Sequence, residues 1–277
     1  MASKKTSSDK KPGLGMRVTR IGGPTALVEF DGWRILTDPT FDPPGRRYGF
    51  GPGASSVKTT GPAIARDNLG RIDAVLLSHD QHGDNLDDAG REFLADVPVV
   101  VTTRSARKRL GGDNIVGLDT WQTTTIERAG GARLVVTATP GRHGPPLSRP
   151  IVGPVVGFAV ALPGESTTAL WMSGDTVDFS GLHDVARRLD IDVALIHIGA
   201  VRFPITGPLR YTLDGRHAAR VLDRLAPRVA IPVHYEGWSH FSEPEPQTRA
   251  ALERSRLSDR VRWLPLGVAV DIPARAD

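Results

Sequence analysis

The chain has 277 residues, 39% of them hydrophobic, and carries 35 lysine and arginine residues against 31 aspartate and glutamate residues. This length predicts one large domain or two small ones, with a substantial buried core. Because the chain contains no cysteine, it can have no disulfide scaffold, thiolate zinc site or cysteine nucleophile. A formal net charge of +4, with acids and bases mixed throughout, is too mildly basic to indicate nucleic-acid binding.

Residues 1–15 are rich in lysine and serine, and we predict a disordered basic tail there and a single domain over residues 16–277. No apolar run approaches the roughly 18–20 residues that a membrane span needs. No apolar segment follows the lysines near the N-terminus, so a secretory signal is not visible. We therefore expect a cytoplasmic protein with a small-molecule substrate, no nucleic-acid partner and no stable membrane anchor, while homo-oligomer formation stays open.

The first half of the chain is predicted to form mainly β-hairpins with one or two helices. Hairpin patterns run from Met16 to Leu36, where Gly-Pro and Asp-Gly pairs mark the turns. Residues 41–70 are rich in Gly and Pro without periodicity, which predicts a long loop of the kind that often covers a site. A buried strand at 74–77, a helix at 86–95, a strand at 97–102 and a basic helix at 103–111 follow.

The second half repeats this order of strands and helices. Strands are predicted near 123–128, 133–138, 155–162, 169–172, 193–198, 230–233 and 261–271, and helices near 180–189, 212–225 and 246–256. The repetition predicts two β-rich layers that are sandwiched by helices within one domain.

Metal-capable side chains come directly after four of these strands. They lie in the segments Ser78–Asp87, Thr139–Pro145, Ser173–Thr176 and Ile231–Tyr235. Taken singly, each segment is also typical of a polar turn, a helix cap or a histidine with backbone partners. Taken together, imidazole and carboxylate groups without thiolates are typical of an open zinc, manganese or iron site.

The order of these motifs resembles the metallo-β-lactamase fold superfamily, and more closely its ascorbate-phosphate-lactonase-like and phospholipase-D-like branch. A Gly-x-x-Thr hairpin and a Leu-Thr-Asp-Pro segment come first, as Gly22–Thr25 and Leu36–Pro39. A Ser-His-Asp loop ending in Leu-Asp, then Thr-Pro-x-x-His, Gly-Asp-Thr and Pro-x-His-Tyr follow, as Ser78–Asp87, Thr139–His143, Gly174–Thr176 and Pro232–Tyr235. The resemblance covers about residues 16–270.

The resemblance implies an α/β (α+β) fold, an αββα four-layer sandwich, with a hydrolytic site for one or two metal ions. By this similarity His79, His82 and His143 would hold the first ion, Asp84 and His234 the second, and Asp175 would bridge them. Zn²⁺ is the expected ion, with Mn²⁺ or Fe²⁺ as alternatives. The implied activity is the attack of metal-activated water on a small ester, lactone or phosphodiester.

The sequence departs from the family loop His-x-His-x-Asp-His, because Asn85 stands where the last histidine is expected. One inserted residue keeps His79 and His82 as ligands, whereas a rigid alignment puts Asp80 in the first position. We favour the insertion, since the flanking residues then match on both sides. Asp38, Asp80 and Asn85 are candidate substitute ligands or outer partners of the ligands.

Further candidates surround these motifs. Asp84 and His240 are candidate catalytic residues, His240 as a proton donor to a leaving group. Arg142, Tyr235 and Trp238 are candidate substrate contacts. The altered loop also supports a second interpretation of the function. The protein would then be a non-catalytic metal- or ligand-binding protein with the same fold and a degraded second metal site.

Overall fold

The computed structural model of the protein describes residues 15–275. The predicted basic tail lies outside the described residues except for Gly15. The strands are Met16–Gly22 (β1), Thr25–Phe30 (β2), Trp33–Thr37 (β3), Arg47–Gly49 (β4), Ser55–Val57 (β5), Ala74–Leu76 (β6), Val100–Thr103 (β7), Ile115–Leu118 (β8), Thr123–Glu127 (β9), Arg133–Pro140 (β10), Val156–Ala161 (β11), Thr167–Met172 (β12), Asp190–His197 (β13), Val229–Val233 (β14) and Ala269–Ile272 (β15). The α-helices are Asp88–Phe93 (α1), Arg104–Leu110 (α2), Arg149–Val152 (α3), Ser180–Arg188 (α4), Gly215–Leu225 (α5) and Glu245–Leu252 (α6).

Two mixed sheets form the centre of the molecule. The first has the strand order β15-β1-β2-β3-β6-β7-β8, and the second has the order β14-β13-β12-β11-β10-β9. A separate two-stranded ribbon, β4-β5, belongs to neither sheet. The two large sheets face each other across the main hydrophobic core, in which Val28 and Trp33 of the first sheet pack with Phe158 and Leu170 of the second.

The central strands of both sheets are buried on both faces, which explains their nearly continuous apolar sequences. In β2, Val28 points into the core between the sheets, whereas its neighbour Leu27 points to the outer cluster beneath α1. This alternation follows from the two-residue period of a β-strand. On the other side, α4, α5 and α6 cover the second sheet, where Leu182 and Leu222 pack around Trp171. The predicted αββα sandwich is confirmed.

The helix predicted from residue 212 begins three residues later, at Gly215. The Thr212 hydroxyl accepts a hydrogen bond from the Val201 backbone amide at 2.9 Å and lies 3.2 Å from the Ile198 carbonyl oxygen, so residue 212 is held outside the helix. Asp214 is the N-cap, and its carboxylate accepts the His217 amide at 2.8 Å. The strand predicted at 261–271 is also shorter and is limited to β15.

The parallel strands of both sheets end at one edge of the sandwich. β3, β6 and β7 run parallel in the first sheet, and β12, β13 and β14 run parallel in the second. β10 joins this second group, because two antiparallel steps through β11 restore the direction of β12. Loops that follow the carboxyl ends of such strands converge and commonly form ligand sites.

Residues 41–70, hereafter the covering loop, lie over this edge. The loop contains the ribbon β4-β5 and a short 3₁₀ turn at Arg66–Asn68, so it is more ordered than its sequence predicts. Within residues 15–275, no helix combines the length and the apolar character required to cross a bilayer.

Candidate metal centre

Three histidine rings converge where β6 and β10 end. His82 Nδ1 lies 3.1 Å from His79 Nε2 and 3.0 Å from His143 Nε2, and all three side chains are buried. In His79 and His143, a hydrogen bond to the ring nitrogen that faces away from the cluster determines which nitrogen carries the proton. The Tyr211 carbonyl can only accept, so His143 donates from Nδ1 at 2.8 Å. Three nitrogens therefore meet at one point with lone pairs to offer a cation.

Neutral imidazoles are favoured at this point. Burial lowers the pKa of His79 well below its usual range, and the neighbouring rings of His82 and His143 lower it further. Burial likewise lowers the pKa of His82 to about 4 and that of His143 to about 3. A neutral imidazole is the form that binds a metal ion. The three rings are thus held in their ligand state at neutral pH.

A second cluster lies beside the first and consists of Asp84, Asp175 and His234. His234 Nε2 is 3.1 Å from Asp84 Oδ2, and His234 Nδ1 is 3.5 Å from Asp175 Oδ1. His234 adopts a φ of 61°, which side chains other than glycine rarely do. Such local strain is often found at functional sites. The sharp turn after β14 brings this ring back to the edge where the strands end.

The charges of the second cluster are strongly coupled. Burial raises the pKa of Asp175 to about 7, and the nearby carboxylates of Asp84 and Asp38 contribute in the same direction. Burial alone would lower the pKa of His234, but Asp175 and Asp84 raise it to about 9. Burial alone would raise the pKa of Asp84, yet the adjacent imidazoles of His234 and His240 hold it well below its usual range. The site therefore favours positive charge between its carboxylates.

The two clusters together fit metal ions. Among residues 15–275, Asp84 Oδ1 and Asp175 Oδ2 are buried without a hydrogen-bond donor, which is costly unless a cation binds them. Asp175 Oδ2 also lies 3.9 Å from His143 Nε2, so Asp175 connects the second cluster to the first. Nitrogen and carboxylate donors without thiolates suit zinc, manganese or iron.

Asp38 organises the outer side of the site. Its carboxylate accepts the Ser78 amide at 2.6 Å and the Ser78 hydroxyl at 2.9 Å, and Ser78 Oγ in turn lies 3.0 Å from His79 Nδ1. Asp38 Oδ2 also lies 3.2 Å from His197 Nε2 and accepts Asn85 Nδ2 at 3.1 Å. Asp38 thus orients a histidine of the first cluster through Ser78.

Asn85 donates to two carboxylates, while its carbonyl Oδ1 is buried without a hydrogen-bond partner among the described residues and so stays a candidate ligand atom. Its amide nitrogen lies 3.1 Å from Asp38 Oδ2 and 3.4 Å from Asp175 Oδ1, and thereby holds two carboxylates near each other. His240 reaches the same cluster from the other side, with Nε2 3.0 Å from Asp84 Oδ2. Neither His240 nitrogen is aligned for a hydrogen bond with any described residue.

Two predicted residues are not at the site. The Asp80 carboxylate is not among the clustered donor atoms but binds the Arg109 guanidinium, with Oδ2 2.9 Å from Nε. Tyr235 packs in the outer core, where its ring lies 5.3 Å from Trp263 and beneath the Arg20 guanidinium. Both predictions are therefore corrected.

The other two candidate substrate contacts flank the site. Trp238 joins an aromatic cluster above it, 6.1 Å from the His240 ring. Arg142 adjoins His143, and its backbone amide donates to the Thr176 hydroxyl at 3.0 Å. The loop after β12, which carries Thr176, lies close to the start of β11, and this requires glycine at position 174. A Cβ at Gly174 would lie 2.6 Å from the Val156 carbonyl oxygen, and φ is 59°.

Two residues of the covering loop were not identified from the sequence. Phe50 lies 5.2 Å from the His82 ring and 5.0 Å from the His240 ring, and it closes the site from above. Lys58 is 2% exposed and binds Asp87, which begins α1. A lysine in a Gly- and Pro-rich loop gives no signal of burial, and only the acidic helix start at Asp87 could have suggested a partner.

Comparison with known proteins gives the family. A model of the β-lactamase superfamily domain matches residues 33–235. A UPF0173 metal-dependent hydrolase of Deinococcus radiodurans is 30% identical over 191 residues, which cover 68% of this chain and 76% of that protein.

Solved structures show the same fold. An isothiocyanate hydrolase from Delia radicum gut bacteria superposes with a TM-score of 0.75 at 20% identity, covering 94% of this chain and 100% of the other. A metallo hydrolase from Ignicoccus hospitalis superposes with a TM-score of 0.70 at 21% identity and the same coverage. The chain therefore belongs to the β-lactamase superfamily and, within it, to the UPF0173 metal-dependent hydrolases.

Proposed function

We propose that this protein hydrolyses a small ester, lactone or phosphodiester, with a carboxylic ester or lactone preferred. The observation that carries the proposal is the adjacency of two buried donor clusters, His79/His82/His143 and Asp84/Asp175/His234, at the edge where the strands end. Zn²⁺ is the proposed ion, and Mn²⁺ or Fe²⁺ would suit the same donors. When bound, the ions would lower the pKa of a water molecule and polarise the scissile bond.

The protein's own residues would prepare the site in three ways. Ser78 and the Tyr211 carbonyl hold the rings of His79 and His143 in orientations that direct Nε2 inward. Asp175 would bridge the clusters. The covering loop, through Phe50, would exclude bulk water and so strengthen the electrostatic interactions inside.

His240 is the proposed proton carrier. It is 5% exposed, its Nε2 lies 3.0 Å from Asp84 Oδ2, and neither ring nitrogen has an aligned partner among the described residues. An imidazole held against a carboxylate can accept a proton and release it to a leaving group. Asp84 would stabilise the protonated ring during this transfer.

The test combines metal analysis with a substrate panel. The purified protein and the variants His143→Ala and Asn85→His would be analysed for bound metal and for hydrolysis of esters, lactones, phosphodiesters and an isothiocyanate. The isothiocyanate is included because a structure of the same fold carries that name. His183→Ala is the matched control, since His183 is 45% exposed on α4.

We expect about two ions per chain in the protein, with metal and hydrolysis both lost in His143→Ala and retained in His183→Ala. One ion per chain, rising to two in Asn85→His, would mean a mononuclear hydrolase with a weakened second position. Metal retained without hydrolysis of any substrate class would favour the non-catalytic binding protein. Hydrolysis that survives in His143→Ala would refute the assignment of the site.

A further inference from the structure

A cavity of about 640 Å³ opens beside the candidate metal centre, and His143 forms part of its wall. Its other walls come from α2, from the loops after β8 and β10, and from α3 with the segment that follows it. The cavity is therefore adjacent to the first histidine cluster without containing the other ligands. Its volume is within the range of about 300–1,000 Å³ that is typical of small-molecule sites.

The walls of this cavity carry an excess of positive charge. Arg104, Lys108, Arg142 and Arg149 line it, against a single carboxylate, Asp119. Arg104 Nε binds Asp119 at 2.9 Å, so these two charges compensate each other. The other three cations make no ion pair within the described part of the chain. The net charge of +3 on these walls nearly equals the +4 of the whole protein.

Arg142 is held in place in the wall of the cavity. Its guanidinium stacks on the Phe179 ring, with Cζ 4.9 Å from the centroid, and donates to the Asp178 carbonyl at 3.4 Å. Its Nε is buried and has no partner among residues 15–275. A guanidinium that is already fixed loses little conformational freedom when it binds an anion.

We propose that this cavity binds the anionic end of the substrate, a carboxylate or phosphate, through Lys108, Arg142 and Arg149. The proposal rests on the proposed hydrolase function, because His143 then places the reacting bond at the wall that adjoins the metal centre. The preferred substrate would carry its scissile bond at one end and a negative charge at the other. Arginine forks bind both oxyanions well, and lysine adds a point charge.

Anion binding is tested first without any reaction. Inorganic phosphate and glutarate would be titrated calorimetrically into the purified full-length protein at low ionic strength, and into the double variant Lys108→Gln/Arg149→Gln. Both substituted residues are exposed, so the fold should tolerate the changes. Arg107→Gln is the matched control, because Arg107 is exposed on the same helix but does not line the cavity.

We expect the double variant to bind its better anion about tenfold more weakly, and the Arg107→Gln variant to bind as the wild type does. The tighter of the two anions identifies the group as phosphate or carboxylate. An anion that binds at the metal ions instead would be unaffected by either substitution. Equal affinities in the wild type and the double variant would therefore overturn the proposal.

Catalysis provides the second test through a pair of matched esters. p-Nitrophenyl butyrate and mono-p-nitrophenyl glutarate differ chiefly by a terminal carboxylate. We expect kcat/KM to favour the glutarate monoester by about tenfold, and the double variant to lose this preference through a lower kcat/KM for the glutarate monoester.

The two proposals fail separately. Cleavage of both esters at equal kcat/KM by the wild type would overturn the anion site and leave the hydrolase function in place. Absence of hydrolysis with any substrate, combined with anion binding that weakens in the double variant, would overturn the hydrolase function and support the site.

Discussion

Lys58 and Asp87 form a buried ion pair, with Lys58 Nζ 2.7 Å from Asp87 Oδ2, that attaches the covering loop to the start of α1. Asp87 also accepts the backbone amides of Phe41 at 2.9 Å, Asp42 at 2.7 Å and Gly90 at 2.8 Å. One carboxylate thus holds the start of the loop, the middle of the loop and the helix that follows the metal-binding turn. The position of the covering loop therefore depends on this pair.

Replacing Lys58 with methionine should destabilise the protein. The substitution keeps the length of the side chain but leaves the Asp87 carboxylate buried without its cation, a situation that typically costs about 3–5 kcal/mol. Three backbone amides still bind Asp87, so we expect the lower end, about 3 kcal/mol, in the free energy of unfolding measured with urea.

The control is Arg47→Met, which removes an exposed cation from the same loop and should change stability by less than about 0.5 kcal/mol. The double variant Lys58→Met/Asp87→Asn should recover part of the loss. If Lys58→Met costs no more than Arg47→Met, the ion pair does not hold the loop.

Phe50 should control access to the metal centre. Its ring is 7% exposed and packs on His82, His240 and Phe203. Phe50→Ala would leave every metal donor in place but remove the contact that closes the loop over them. We expect a chelator to remove bound metal about tenfold faster or more, because local opening becomes easier.

The rate of metal release into excess EDTA measures this effect. Leu225→Ala truncates a buried side chain on α5, in the outer core of the second sheet and away from the covering loop, and should leave the rate unchanged. Equal acceleration in both variants would show a general loss of stability rather than an opening of the loop.

The four motifs at strand ends could be recognised from the sequence because each side chain follows directly on an apolar run. The strands that precede these motifs run in the same direction within each sheet, so they bring their following residues to one edge of the sandwich, independently of the loop conformations. The residues are His79, His143, Asp175 and His234. The sandwich was predictable for the same reason: the apolar periods of strands and helices are local properties of the chain.

The residues that were misplaced or missed depend on contacts between distant segments. Asp80 lies between two metal-binding histidines in sequence, but Arg109, 29 residues away, binds its carboxylate. Tyr235 follows His234 directly, yet Tyr235 packs in the outer core whereas His234 belongs to the second cluster. Lys58 finds its only carboxylate partner within residues 15–275 at Asp87, in another segment. No local pattern encodes such pairings.

The two clusters should differ in how pH affects metal binding. His82 and His143, with pKa values near 4 and 3, are already neutral at pH 6 and have no proton to lose to an incoming ion. His234, with a pKa raised to about 9, is protonated below that pH until a metal ion displaces the proton. A raised pKa means that affinity falls as pH falls through it, by about tenfold per unit for each such group. Asp175 of the same cluster, with a pKa raised to about 7, adds a second proton below that pH.

Zinc titrations of the metal-free protein at pH 6, 7.5 and 9 would separate the two sites. We expect the first ion to bind with nearly constant affinity and the second to weaken steadily toward pH 6. Calorimetry in buffers with different ionisation enthalpies should show about one proton released for the second ion at pH 7.5, from His234, and about two at pH 6, where Asp175 is protonated as well. Almost none should be released for the first ion. Parallel weakening of both near pH 6.5 would contradict these protonation states.

Asn85 should be needed as a neutral donor between carboxylates. Its amide nitrogen lies between Asp38 Oδ2 and Asp175 Oδ1, and Asn85→Asp would keep the shape while placing a third negative charge against them. We expect the metal-free variant to lose about 2–3 kcal/mol of stability at pH 8, because a hydrogen bond to charged groups is lost and repulsion is added.

The introduced carboxyl would have a raised pKa, so its protonation on going to pH 5 should restore part of the lost stability, and bound metal should restore part of it at pH 8. Urea unfolding of the variant and the wild type at both pH values, with and without zinc, measures each effect. Asn114→Asp is the matched control, since the Asn114 amide donates to the Leu94 and Val97 carbonyls far from any carboxylate cluster. It should lose those hydrogen bonds but recover nothing with zinc. Equal rescue of both variants by the metal would mean that Asn85 has no particular role between the two carboxylates.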